Sequence, residues 1–132
     1  MPYKLHPKHY ENVMSFTAKE RYEHFIIKVA DWEQLWGLYN ENKGWFLRTT
    51  DENVEYLSIW PHPEYAKNIG KEYYPEYNEE EISLENFMSN LLPKLEKDNV
   101  KIGVFPDPEG NTWLMEAKDL LQDLQDECEQ HE

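Results

Sequence analysis

The spacing of apolar side chains changes period along the chain, and each change marks an element. Tyr22, Phe25, Ile26 and Val29 recur at the three- and four-residue intervals of one helix face. Thr17 stands three residues before Glu20, the spacing of a capping box, so a helix is predicted from about Ala18 to Ala30. Ahead of it, Pro7 fits a first helical turn, and Tyr10, Val13 and Met14 share a face of a short helix. From Gln34 the period drops to two. Three runs, Gln34–Tyr39, Gly44–Thr50 and Val54–Trp60, are separated by Asn- and Asp-bearing turns, which predicts an antiparallel meander.

The third run stops at Trp60-Pro-His-Pro-Glu-Tyr65. Pro61 and Pro63 each remove a backbone donor and push the residues before them, Trp60 and His62, toward extended backbone. A strand should therefore end at Trp60. A helix should begin with Pro63 in its first position and His62 as its N-cap, and end at Gly70. Lys71 to Glu81, rich in tyrosine and glutamate, reads as an exposed loop. Ser83 then caps a helix carrying Leu84, Phe87, Leu91 and Leu95, which Pro93 is expected to kink or end. Val100–Phe105 is a predicted strand, Pro106–Asn111 a turn, and Thr112–Met115 a second strand. Leu120, Leu121, Leu124 and Cys128 stripe a last helix.

The resulting order, α-α-β-β-β-α-α-β-β-α, groups helices and strands instead of alternating them. That predicts the α+β class: a mixed or mostly antiparallel sheet of about five strands, a three-strand meander plus a C-terminal pair, with helices packed on it. No linker or repeat divides the 132 residues, so one domain over 1–132 is expected, with fraying at 1–8 and 127–132.

Composition sharpens this picture. Apolar residues make up 39%, yet five Trp, nine Tyr and five Phe are present, so few but large side chains must fill the core. Residues 1–71 hold 10 acids and 9 bases; residues 72–132 hold 17 acids and 4 bases, which places nearly all of the net −14 in the second half. Such a field repels phosphate backbones and attracts basic proteins, so nucleic acid is excluded as a partner and a basic protein is expected. No apolar run is long enough for a membrane span, and the single cysteine excludes an internal disulfide, which together point to the cytoplasm.

Candidate chemistry is sparse. His62 at a helix start is favoured as neutral imidazole, but catalysis would need a nucleophile and an orienting acid, and the local sequence supplies only Glu64. No catalytic residue is assigned. Trp60, His62, Glu64 and Tyr65 are the candidate binding residues, as a recognition rim or as the wall of a small pocket. His6 and His9, the lone His24, Cys128 with His131, and the run Glu79–Glu81 pair with no second cluster at metal-binding spacing. No glycine-rich phosphate loop occurs, and Asp126, Glu127 and Glu129 disfavour a Cys128 thiolate. Neither cofactor nor metal is expected.

Several segments together resemble one small bacterial family: Glu20-Arg-Tyr-Glu-His-Phe-Ile-Ile-Lys-Val-Ala-Asp-Trp32, Trp36-Gly-Leu-Tyr39, Trp60-Pro-His-Pro-Glu-Tyr-Ala66, Ser83-Leu-Glu-Asn-Phe87, Leu91-Leu-Pro-Lys-Leu95 and Val104-Phe-Pro-Asp-Pro108. The chain is similar over roughly residues 10–129 to the domain-of-unknown-function 2750 family. The resemblance implies a single-domain cytoplasmic bacterial protein and brings no activity. The expectation is a non-enzymatic protein-binding or regulatory module, in one version of the immunity type. The competing expectation is a small-ligand sensor or enzyme with a pocket at the Trp60–Tyr65 corner.

Overall fold

The computed structural model describes residues 3–130, so the fraying expected at residues 1, 2, 131 and 132 lies outside the described residues. The fold is α+β, with helices packed on two sheets. Helix α1 spans Pro7–Met14 and α2 spans Ala18–Trp32. The capping box closes in both directions: Glu20 N–H donates to Thr17 Oγ1 at 3.1 Å, and Thr17 N–H to Glu20 Oε1 at 2.9 Å.

Strands β1 (Gln34–Asn40), β2 (Gly44–Trp45), β3 (Leu47–Thr49) and β4 (Glu55–Ile59) replace the simple meander. The middle run breaks at Phe46. Its first half pairs with β1, Tyr39 opposite Trp45, and its second with β4, Arg48 opposite Tyr56. The Phe46 ring packs against Tyr74 and Tyr77, with centroids 4.2 and 5.0 Å away, which turns the chain out of a flat ladder. The outcome is two sheets, not one of about five strands: β2-β1-β5 and β3-β4-β6-β7. They stay joined where Trp36 and Trp60 exchange backbone hydrogen bonds, both 2.8 Å.

Helix α3 (Pro63–Tyr73) begins as expected but runs through Gly70. Gly70 marks close packing, because a Cβ there would lie 2.9 Å from Leu38 Cδ2. The predicted loop ends in a strand, β5 (Asn78–Ser83), antiparallel to β1 with Ile82 opposite Leu35. Its glutamates have poor strand propensity, but β1 offers an unpaired edge and Ile82 finds the core. β5 is thereby an outer strand bearing Glu79, Glu80 and Glu81.

Pro93 neither ends nor sharply breaks its helix. Between α4 (Leu84–Asn86) and α5 (Leu92–Lys97) lies a π-helical turn, Phe87–Leu91, with Leu92 N–H bonded to Phe87 O. The wider turn accommodates the ring of a residue that lacks its own donor. Strand β6 (Lys101–Val104) runs parallel to β4, β7 (Trp113–Met115) pairs antiparallel with β6, and α6 (Ala117–Gln130) follows. Helices α2 and α6 pack on each other and on β6, while α3 packs on β1 and β5. Phe25, Leu57, Ile59, Phe87, Ile102 and Leu120 are fully buried in one continuous cluster.

A charged staple lies inside this core. Arg21 is 1% exposed and donates to Phe105 O (2.9 Å), Phe16 O (2.6 Å) and Asn111 O (2.9 Å), with Asp107 Oδ2 3.8 Å away. It ties the start of α2 to the loop after β6, where Phe105 is held at φ 55° despite its bulky side chain. Burial lowers the Arg21 pKa and Asp107 partly restores it.

Candidate functional site

The two prolines position the Trp60–Tyr65 corner as the sequence predicts, with His62 extended (φ −147°, ψ 143°) and Pro63 opening α3. The side chains are not displayed, however. Trp60 is 1% exposed and Tyr65 is fully buried; His62 is buried, and of the four only Glu64 reaches solvent. The Trp60 indole donates to Pro106 O at 3.0 Å. Tyr65 is clasped between Tyr10, stacked at 4.9 Å, and Phe105 at 4.6 Å. Burial raises the phenol pKa of Tyr65 and of Tyr3 well above the ordinary value, so both stay protonated.

Both nitrogens of His62 are occupied. Nδ1 accepts from Glu64 N–H at 3.1 Å, which is the helix cap, and Nε2 lies 2.6 Å from Tyr3 O. These partners assign the proton to Nε2, which donates to the carbonyl. Burial lowers the pKa of this imidazole. A capped, tethered and neutral ring has no lone pair left for a substrate proton. Its work is mechanical: it fastens the segment Tyr3–Leu5 across the front of α2, with the Tyr3 and His62 rings 4.7 Å apart.

Three concave features surround this framework. On the far side of Trp60, a cleft of about 510 Å³ is lined by Arg48, Tyr56, Ser58, Tyr74 and Asp107. Ser58 Oγ is buried there without a hydrogen-bond partner. Asp107 is already spent on Glu109 N–H (3.0 Å) and Asn111 N–H (2.9 Å), and among the described residues no histidine or lysine lines the cleft to activate a hydroxyl. A second hollow, about 490 Å³, lies between the Tyr3–Leu5 segment, α1 and α2. A third, about 320 Å³, is a groove between α2 and α6 floored by Tyr22, Ile26 and Ile27 and edged by Glu23, Asp123, Asp126 and Glu127. Ile27 is 51% exposed, and the Tyr22 hydroxyl donates to the Asp123 carboxylate across the groove. Among the described residues no three His, Cys, Asp or Glu side chains gather as metal ligands, and no helix is long and apolar enough to cross a membrane.

The residues that shape these hollows were only partly visible beforehand. Ser58 interrupts an otherwise apolar stretch, which is the signal a buried hydroxyl leaves. Tyr3, Lys4 and Lys28 gave none, because they meet only through the path of the N-terminal segment.

His24 carries a pH prediction. Its Nε2 is buried without a partner, and burial, then Lys28, then His9 lower its pKa to about 4. The unfolded chain binds this proton near pH 6.5, while the folded chain refuses it until about pH 4. The contribution is thus complete above pH 6.5 and lost as pH falls toward 4. Urea midpoints measured between about pH 7 and 5 should fall with pH, and His24→Leu should flatten that slope. Equal slopes in the two proteins would remove His24 from the account.

The model of one protein family, described as a protein of unknown function (DUF2750), matches residues 22–124. The match begins one residue after the buried Arg21 and takes in the Trp60–Tyr65 corner and the first part of the last helix, to residue 124. None of the curated proteins matches the chain.

Proposed function

The chain belongs to the DUF2750 family, and from that premise we propose that it is a non-enzymatic, cytoplasmic binding module that docks a basic segment of another protein on the α2–α6 groove. The observation that carries this reading is the coincidence of exposed apolar floor and acidic edge: Ile27 is open to solvent while Glu23, Asp123 and Asp126 stand around it. A basic amphipathic segment satisfies both, burying its apolar side chains against Ile26 and Ile27 and placing lysines or arginines against the carboxylates. The wider field points the same way, since residues 72–132 carry 17 acids against 4 bases. Long-range attraction of this kind speeds encounter more than it deepens affinity. Masking of a basic partner, as regulatory and immunity-type proteins do, fits such a surface.

The test is affinity capture followed by kinetics on the captured partner. The partner should be basic, and its association rate should fall steeply between about 50 and 500 mM salt. Reversing two edge charges while keeping the Tyr22–Asp123 contact, Glu23→Lys with Asp126→Lys, should slow association at an unchanged urea midpoint. A partner that binds at one rate at both salt concentrations, or equally well to the reversed protein, would refute the reading.

A further inference from the structure

The hollow between the N-terminal segment and α2 has the opposite character to the rest of the molecule. Lys4, His9, His24 and Lys28 line it, and among the described residues no aspartate or glutamate does, in a chain that has 27 acids. Each of the other two hollows described above includes at least one carboxylate. Lys28 makes no ion pair among the described residues; its ammonium sits 4.9 Å from the centroid of the Tyr3 ring. His24 and Lys28 are one helical turn apart on α2, so both face the same space. The imidazole Nε2 of His24 is buried and unbonded there.

The walls are apolar. Val13 and Phe16 close one side, and Trp32, 44% exposed, stands at the other. A volume of about 490 Å³ suits a small organic molecule. The carbonyl of Tyr3 is pinned by His62, so the segment that closes the hollow is held in place before anything enters.

We infer that this hollow is a binding site for a small monocarboxylate with an apolar body, its carboxylate received by Lys28 and Lys4 and its hydrocarbon laid against Phe16 and Trp32. A cation without an ion pair and an exposed indole are each unfavourable alone, and one ligand of this class satisfies both beside the unbonded Nε2 of His24. A neutral analogue leaves the charge unmatched, and a cationic one is repelled. This site and its ligand are independent of the acidic groove on the α2–α6 face.

The experiment uses the full chain and three probes of equal length: octanoate, octanamide and octylammonium. Backbone and side-chain amide resonances are followed by NMR, with affinities from calorimetry. Octanoate should shift the Trp32 indole N–H and the amides around His24 and Lys28, and bind at least about tenfold more tightly than either analogue. Lys28→Gln should weaken octanoate about tenfold with an unchanged unfolding midpoint, and Lys4→Gln should weaken it by a smaller factor. The inference is overturned if about 10 mM octanoate leaves these resonances unmoved. It is equally overturned if the three probes bind alike, if the shifts centre on another hollow, or if neither lysine variant changes the affinity.

Discussion

Replacing Arg21 by methionine should lower the free energy of unfolding by about 3–5 kcal/mol. Methionine fills much of the space of the arginine stem, so the loss comes from the polar end. Three backbone carbonyls, on Phe16, Phe105 and Asn111, would lose a donor, and Asp107 would lose the nearest cation. Leaving one buried acceptor bare costs about 1–3 kcal/mol, and here Phe105 O and Phe16 O are bared together, while Asn111 O keeps the Asp107 N–H. The expected observation is a urea midpoint that falls at unchanged slope. Arg21→Lys should recover only part of the loss, because one ammonium cannot serve three carbonyls that diverge around a planar fork. A methionine variant within about 1 kcal/mol of the parent would show that water already reaches those carbonyls.

Replacing Trp60 by alanine is the second change of this size, at about 3–5 kcal/mol. Trp60 stands where the two sheets meet, and its ring is enclosed while its indole holds Pro106 O. Alanine leaves a cavity at that joint and an unpaired carbonyl beside it. Trp60→Phe keeps most of the ring and loses the hydrogen bond, so it should cost about 1–3 kcal/mol. Both are read from chemical denaturation. If Trp60→Ala unfolded at the parent midpoint and instead lost a captured partner, Trp60 would be a recognition residue and not the joint.

Much of the fold was legible because local rules and packing agree over most of the chain. Thr17 with Glu20 gave the start of α2, and Pro61 with Pro63 gave both the end of β4 and the start of α3. The departures share a cause: a tertiary neighbour overruled a local preference. Gly70 reads as a helix stop until Leu38 is placed against it. Glu79–Glu81 reads as a loop until β1 is seen to need a partner on that side. Phe46 lies in the middle of an alternating run, and only the rings of Tyr74 and Tyr77 reveal that the run must turn there.

The candidate site was less legible than the fold. The corner at Trp60 attracted notice because its residues are chemically capable, yet burial turns that capability inward. His62 caps a helix and holds Tyr3, and Tyr65 is sandwiched between rings. The surfaces that can meet another molecule are built from residues far apart in sequence. Lys4 and Lys28 share a hollow, as do Tyr22 and Asp126. Spacing along the chain carries no trace of such meetings.

The outer strand β5 has a consequence for how copies of this protein behave toward one another. An unpaired strand invites a neighbouring chain to extend the sheet, the route by which crowded proteins form fibres. Here a second copy arriving edge to edge would set one row of glutamates beside another, and the repulsion discourages stacking of like with like. A lysine-bearing strand would meet no such barrier, so the same row that guards against self-assembly leaves the margin open to a foreign chain.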